Sequence, residues 1–190
     1  MQEFRTYLET MVEITDEDWT FFTSRLVKTA YPKKSVILKS GTIEPHISFI
    51  VEGAVRLFIP HESEEKEITF GFCFKNEFVS AYDSFLTQTP SLCQVETLMD
   101  TKVYSISYAH LQEVYKTTNV GNIIGRFTTE RLFLIKSKRE QSLLCETAEQ
   151  RYNNLFKERP NLLQQIPLKY IASYIGVTPQ ALSRIRKRIS

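Results

Sequence analysis

Near the end of the sequence, Gln180, Ser183, Arg184 and Lys187 recur at i, i+3, i+4 and i+7. On a helix that spacing lines up an amide, a hydroxyl and two cations along one stripe. Such groups suit a nucleic acid: arginine pairs with guanine, glutamine with adenine, and hydroxyl or lysine with the phosphate backbone. Arg186 and Arg188 thicken the positive charge, and the sequence after Glu158 contains no acidic residue. The chemistry on offer is recognition of an anion.

Two short helices must position this stripe. Pro167 suits the first position of a helix, where no backbone donor is needed. Leu168, Ile171, Ala172 and Ile175 then make one apolar face, and Gly176 closes the helix in the left-handed region. Thr178 followed by Pro179 is a second start signal, a hydroxyl cap and then a proline at the first helical position. Leu182, Ile185 and Ile189 are expected to face inward. Two such helices about a glycine turn describe a helix-turn-helix. An ordinary pair of packed helices shares the apolar pattern; the acid-free outer face and terminal basic cluster are what separate the two.

The remaining sequence falls into zones. The chain has 190 residues, 42% hydrophobic and 24% charged, with a net charge of +2, which is ordinary globular composition. From Phe4 to about Ala30 the pattern reads helical, with Thr15 ahead of Asp16-Glu17-Asp18 as a helix start. Residues 36–38, 47–51, 54–59, 68–74, 93–98 and 102–106 are short runs rich in β-branched and aromatic residues, as in an antiparallel barrel or sandwich. Glu52-Gly53 is expected to turn a tight hairpin. Residues 120–144 predict a long helix in which Val120, Ile124, Phe127 and Leu134 step at helical spacing. Leu132, Phe133 and Ile135 give it a second apolar side, suited to pairing with another copy, although Arg131 and Lys138 interrupt the best seam. A further helix over residues 148–159 is expected to end at Pro160.

Other chemistry finds little support. His46, His61 and His110 share no metal-ligand spacing, and three cysteines are too few for an all-cysteine cluster. Cys73 and Cys93 read as buried strand residues and the Glu62–Glu67 cluster as a solvated loop. No nucleophile elbow, P-loop or catalytic carboxylate pair occurs, so neither an enzyme nor a metal site is expected. No apolar run reaches the length of a membrane span, and the start lacks the character of a signal peptide. A cytoplasmic protein without a disulfide framework is expected.

Ile171-Ala172, Gly176-Val177-Thr178 and Leu182-Ser183-Arg184-Ile185 closely resemble the DNA-binding helix pair of the cyclic AMP receptor protein/FNR (Crp/Fnr) family of transcription regulators. Phe49-Ile50-Val51-Glu52-Gly53-Ala54-Val55-Arg56 resembles that family's glycine-centred hairpin. Lys75 to Ser80, with Ser84-Phe85-Leu86, resembles the start of its phosphate-binding cassette. The resemblance implies an α+β fold with an N-terminal β-roll of the cyclic-nucleotide-binding type over 1–118. A dimerisation helix over 119–145 and a helix-turn-helix domain of winged-helix type over 146–190 would follow. It implies a homodimer on double-stranded DNA, with RNA polymerase as a further candidate partner.

Two departures qualify this. Nucleotide-binding members hold the cyclic phosphate with an Arg-Ser pair and the ribose with a glutamate. Here Pro90-Ser91-Leu92-Cys93 stands in the first place, Ser80-Ala81-Tyr82 in the second, and no arginine lies between Arg56 and Arg126. A buried phosphodiester without its guanidinium is costly, so cyclic AMP is not the expected effector. Another small molecule, lodged near Phe78, Val79, Ser80, Ala81, Tyr82 and Ser91, or no effector at all, remains open; no resident cofactor is expected. Second, the family's β-wing has no counterpart after the last helix, so Lys169 and the Arg186 to Arg188 cluster are expected to hold the backbone beside Thr178, Pro179, Gln180, Ser183 and Arg184. A sensor whose helix pair docks a protein instead of DNA is the alternative.

Overall fold

A computed structural model of the chain describes residues 1–159, 162 and 165–189. The chain divides into two compact units, residues 1–57 with 72–132, and residues 58–71 with 133–190.

The first unit opens with helices α1 (Gln2–Glu9) and α2 (Asp16–Thr23). The Thr15 hydroxyl caps α2 by accepting from the Asp18 amide at 3.1 Å, as its position ahead of three acids predicts. The helical zone stops there: Val27–Tyr31 is strand β1, which pairs antiparallel with β8. The β-branched and aromatic content of that segment finds a partner edge that periodicity alone does not reveal.

The strands that follow are β2 (Val36–Leu38), β3 (His46–Glu52), β4 (Ala54–Ile59), β5 (Ile68–Phe74), β6 (Phe78–Val79), β7 (Gln94–Thr97) and β8 (Thr101–Ser107). Among the described residues they form two four-stranded sheets, ordered β1-β8-β3-β6 and β2-β7-β4-β5. The expected hairpin at Glu52-Gly53 is therefore a corner between sheets, since β3 pairs with β6 and β8 while β4 lies between β7 and β5. Gly53 supplies a φ of +102° there, and a Cβ would sit 2.6 Å from the Asp100 carbonyl oxygen, so the corner admits only glycine. Cys93 is buried but precedes β7, and Cys73 in β5 is only half-buried.

An aromatic cluster covers the first sheet. Phe49 and Tyr104 are register partners across β3 and β8, and the Phe4 ring lies 4.3 Å from that of Phe49. Leu8, Ile14 and Ile124 complete the buried set, with Trp19, Phe22 and Val120 packed around it. Helices α3 (Tyr82–Thr87) and α4 (Tyr108–Thr117) follow β6 and β8, and α5 (Asn119–Cys145) is one continuous helix of 27 residues. Its start is buried at Gly121 and Ile124, whereas Phe133, Leu134 and Leu144 are 69%, 67% and 79% exposed.

The second unit contains the tip of the β4–β5 hairpin, the end of α5, and α6 (Ala148–Glu158), α7 (Leu168–Tyr174) and α8 (Pro179–Ile189). A reciprocal capping box between Thr147 and Gln150 starts α6. The stop expected at Pro160 lies outside the described residues. The proline at 167 is the N-cap of α7, one position earlier than the first-turn site its sequence suggests.

Candidate nucleic-acid interface

The helix pair α7–α8 is built by the turn between them. Gly176, at φ +76°, donates to the Ser173 carbonyl at 3.1 Å, and Val177 donates to the Ala172 carbonyl at 2.9 Å. This double bond pattern is a Schellman close, and it uses the left-handed residue that glycine provides. Two residues on, the Thr178 hydroxyl accepts from the Ala181 amide at 3.2 Å and starts α8.

Ile171, Ala172 and Ile175 of the first helix and Leu182 and Ile185 of the second are buried where the helices pack. Leu168 and Ile189, expected inside, are about two-fifths exposed because each lies at the outer end of its helix, beyond the crossing (41% and 40%). Gln180, Ser183, Arg184 and Lys187 are all exposed, as are Thr178, Arg186 and Arg188, with Pro179 half-buried. Among the described residues, neither Arg184 nor Lys187 enters an ion pair. The centre of the stripe thus presents unopposed cationic charge between an amide and a hydroxyl.

The flanking cations are differently placed. Arg188 pairs with Glu149 at 3.0 Å, on the first turn of α6. Lys169, assigned to the DNA backbone from sequence, meets Glu64 at 2.5 Å. The Glu62–Glu67 stretch is exposed as expected through residue 66, but Glu64 also engages α7. Residues Glu64–Lys66 form a short 3-10 turn, and Tyr170 also donates its hydroxyl to Glu64 at 3.2 Å.

Three residues that sequence reasoning missed fix the helix pair in the second unit. Arg139 on α5 donates to the carbonyls of Tyr174 and Thr69 at 2.9 and 3.3 Å. Arg151 on α6 donates to the Ile175 carbonyl at 2.8 Å. Both guanidinium groups thereby satisfy carbonyls at the C-terminal end of α7, which have no donors in their own helix. Ser173 donates to the Glu67 carbonyl at 2.6 Å and accepts from the Thr69 amide at 2.8 Å, so one hydroxyl stitches α7 to the hairpin. Nothing in the spacing of these residues announces the role, since each partner is remote in sequence.

In the first unit the residues assigned to an effector pocket each have partners of their own. Phe78 joins the aromatic cluster, its ring 5.2 Å from that of Phe49, and Val79 is buried in β6. Ser80 donates its hydroxyl to the His46 carbonyl at 3.0 Å, and Tyr82 shares a 3.1 Å hydrogen bond with Thr129. Ser91 is buried and accepts from the Cys93 amide at 2.9 Å. The organising group is Glu44, absent from the sequence-based set. Only 5% exposed, its carboxylate accepts from the amides of Ala81 and His46 at 3.1 and 3.2 Å. Burial pushes the Glu44 pKa up, against the pull of those two backbone bonds. Burial likewise pushes His46 down. Among the described residues no cluster of His, Cys, Asp and Glu could hold a metal ion, and no helix is long and apolar enough to cross a membrane.

Residues 28–118 match the family model of the cyclic nucleotide-binding domain. No curated protein matches the sequence. Among solved structures, the chain is similar to the c-di-GMP-responsive global regulator CLP of Xanthomonas campestris, with 17% identity over 92% of this chain and 91% of that one and a TM-score of 0.70. FixK2 of Bradyrhizobium japonicum matches at 18% identity over 86% and 84% of the two chains, with a TM-score of 0.69. A regulator of the Crp/Fnr family from Eubacterium rectale matches at 15% identity over 92% and 83%, with a TM-score of 0.68. The order of a β-sheet nucleotide-binding-type domain, a long helix and C-terminal helices is the fold of these Crp/Fnr regulators.

Proposed function

We propose that this chain, which carries a cyclic nucleotide-binding domain and the fold of Crp/Fnr transcription regulators, binds specific DNA sequences as a homodimer through α8. The carrying observation is the exposed, acid-free stripe of Gln180, Ser183, Arg184 and Lys187 on a helix capped by Thr178. A helix of this kind fits the major groove, and a two-fold dimer would set two of them about 34 Å apart on a near-palindromic site. The exposed apolar face of α5 supports pairing with a second copy, because Phe133 and Leu134 are otherwise left in water. On DNA such a dimer stands where RNA polymerase could be engaged, and its place is the cytoplasm.

The roll does not take cyclic AMP on this reading. Its cassette-like segment lacks an arginine, and the buried Glu44 carboxylate already accepts from the amides of Ala81 and His46. A second anion there would meet like charge in a poorly solvated place. Calorimetry with cyclic AMP, and with c-di-GMP, to which the similar Xanthomonas regulator responds, checks the claim; tight stoichiometric cyclic AMP binding would reverse it.

Mobility-shift titration tests the main reading. Binding to a duplex enriched from a random pool should weaken steeply with salt, and Arg184→Ala should cost about 1–3 kcal/mol if Arg184 reads a base pair. Unchanged affinity for that variant refutes the role of Arg184. A chain that ignores duplex DNA at low salt yet retains a protein partner is instead a sensor with a docking helix pair.

A further inference from the structure

Glu64 gathers two donors from the first helix of the pair. One carboxylate oxygen, Oε1, accepts from the Lys169 ammonium at 2.5 Å and from the Tyr170 hydroxyl at 3.2 Å. A lysine and a tyrosine converging on a single anionic oxygen make a phosphate-binding pair, since both side chains donate readily to phosphate oxygens. They occupy consecutive positions in the first turn of α7, the helix that crosses the DNA backbone in a helix-turn-helix. We propose that Lys169 and Tyr170 are a DNA-phosphate site whose resident occupant is the carboxylate of Glu64, so that the β4–β5 hairpin competes with DNA for the helix pair. The proposal rests on the DNA-binding reading of α8 and extends it to the regulation of the same surface.

Several features of the second unit support competition over simple bracing. Glu64 is held in place by the short turn Glu64–Lys66 and by the Ser173 hydroxyl, which bonds both Glu67 and Thr69 in the chain just beyond it. The ion pair itself is about half exposed, 48% on the lysine and 54% on the glutamate, so water and salt weaken it. A weak, exposed pair is one that a phosphate can displace. Glu62, Glu65 and Glu67 flank Glu64 in sequence, and with it they would repel a duplex laid along α7 while the hairpin keeps its present place. DNA binding then requires the carboxylate to leave Lys169.

The test uses the full chain as wild type, Glu64→Gln, Lys169→Met, Tyr170→Phe and the Glu64→Gln/Lys169→Met double variant, with Arg184→Ala as reference. Each is titrated over a range of salt against a short duplex enriched by the wild type from a random pool. Glu64→Gln is expected to tighten binding about two- to five-fold, the range set by an exposed ion pair. Lys169→Met should weaken it and lower the salt slope by about one, as loss of a phosphate contact does. Tyr170→Phe should weaken it less. With Lys169→Met in place, Glu64→Gln should gain clearly less than it does in the wild type, leaving only the relief of repulsion. An unchanged affinity for Glu64→Gln, or the same gain without Lys169, overturns the proposal while leaving the DNA reading intact if Arg184→Ala still weakens binding. Failure of every form to bind duplex at low salt removes both.

Discussion

Arg139 and Tyr174 meet twice: the guanidinium donates to the Tyr174 carbonyl at 2.9 Å and its central carbon lies 4.1 Å from the centre of the Tyr174 ring. Burial works against the arginine's charge, and the contact with Tyr174 restores part of it. With its second bond to Thr69, this side chain ties the end of the first helix of the pair to both α5 and the hairpin.

Arg139→Ala should therefore destabilise the second unit by about 2–3 kcal/mol, the scale of charge-assisted hydrogen bonds lost at partly buried carbonyls. Arg139→Lys should recover only part, because an ammonium cannot stack on the ring and make two divergent bonds. Urea unfolding measures both, and an alanine variant as stable as the wild type would remove Arg139 from its positioning role.

Gly53→Ala should destabilise the first unit by about 2–4 kcal/mol, combining positive-φ strain with overpacking. The added Cβ would run into the Thr101 hydroxyl oxygen and lie 2.7 Å from the Thr101 Cα. Thermal melts that coincide for the two forms would show that the corner relaxes freely.

Glu44 makes a signed prediction with pH. Its folded pKa lies above the unfolded value of 4.5, so the folded chain holds the proton more tightly. That contribution is complete below pH 4.5 and is lost as pH rises through the folded pKa. Relative to Glu44→Gln, the wild type should lose stability as pH climbs from 4.5. Paired urea titrations at successive pH values measure the difference, and a wild type that instead gains on the variant would contradict the sign.

Leu134→Asp should convert a dimer into monomers. Each leucine buried at a pairing face contributes about 1.5–3 kcal/mol, and the introduced charge would also have to be desolvated. Analytical ultracentrifugation reads the outcome directly. A wild type already monomeric at micromolar concentration would argue against two-fold docking.

The elements nearest the proposed interface were the most legible in sequence. Gly176, Thr178 and Pro179 act on the backbone within a few residues of themselves, so the turn and the start of α8 can be read locally. The exposed stripe on α8 follows from helical spacing once Leu182 and Ile185 are assigned to the inside. The strand β1 was not legible, because its alternation is weak and its identity depends on the edge of β8, whose partners lie far along the chain, from Tyr31↔Thr101 to Val27↔Ser105. The same is true of the corner at Gly53: a glycine between two apolar runs looks alike whether the strands pair with each other or separate into different sheets.

By itself, then, the sequence determined the local grammar: which segments are amphipathic, where α7 closes and α8 begins, and which face of α8 carries cations without acids. Only tertiary structure decided which carboxylates meet the flanking cations and which side chains hold the helices. Glu64 reaches Lys169 across 105 positions, Ser173 reaches Glu67 across 106, and Glu44 reaches the Ala81 amide across 37. Helix caps and turns depend on neighbours along the chain, whereas a carboxylate's partner depends on which distant backbone the fold brings within about 3 Å of it.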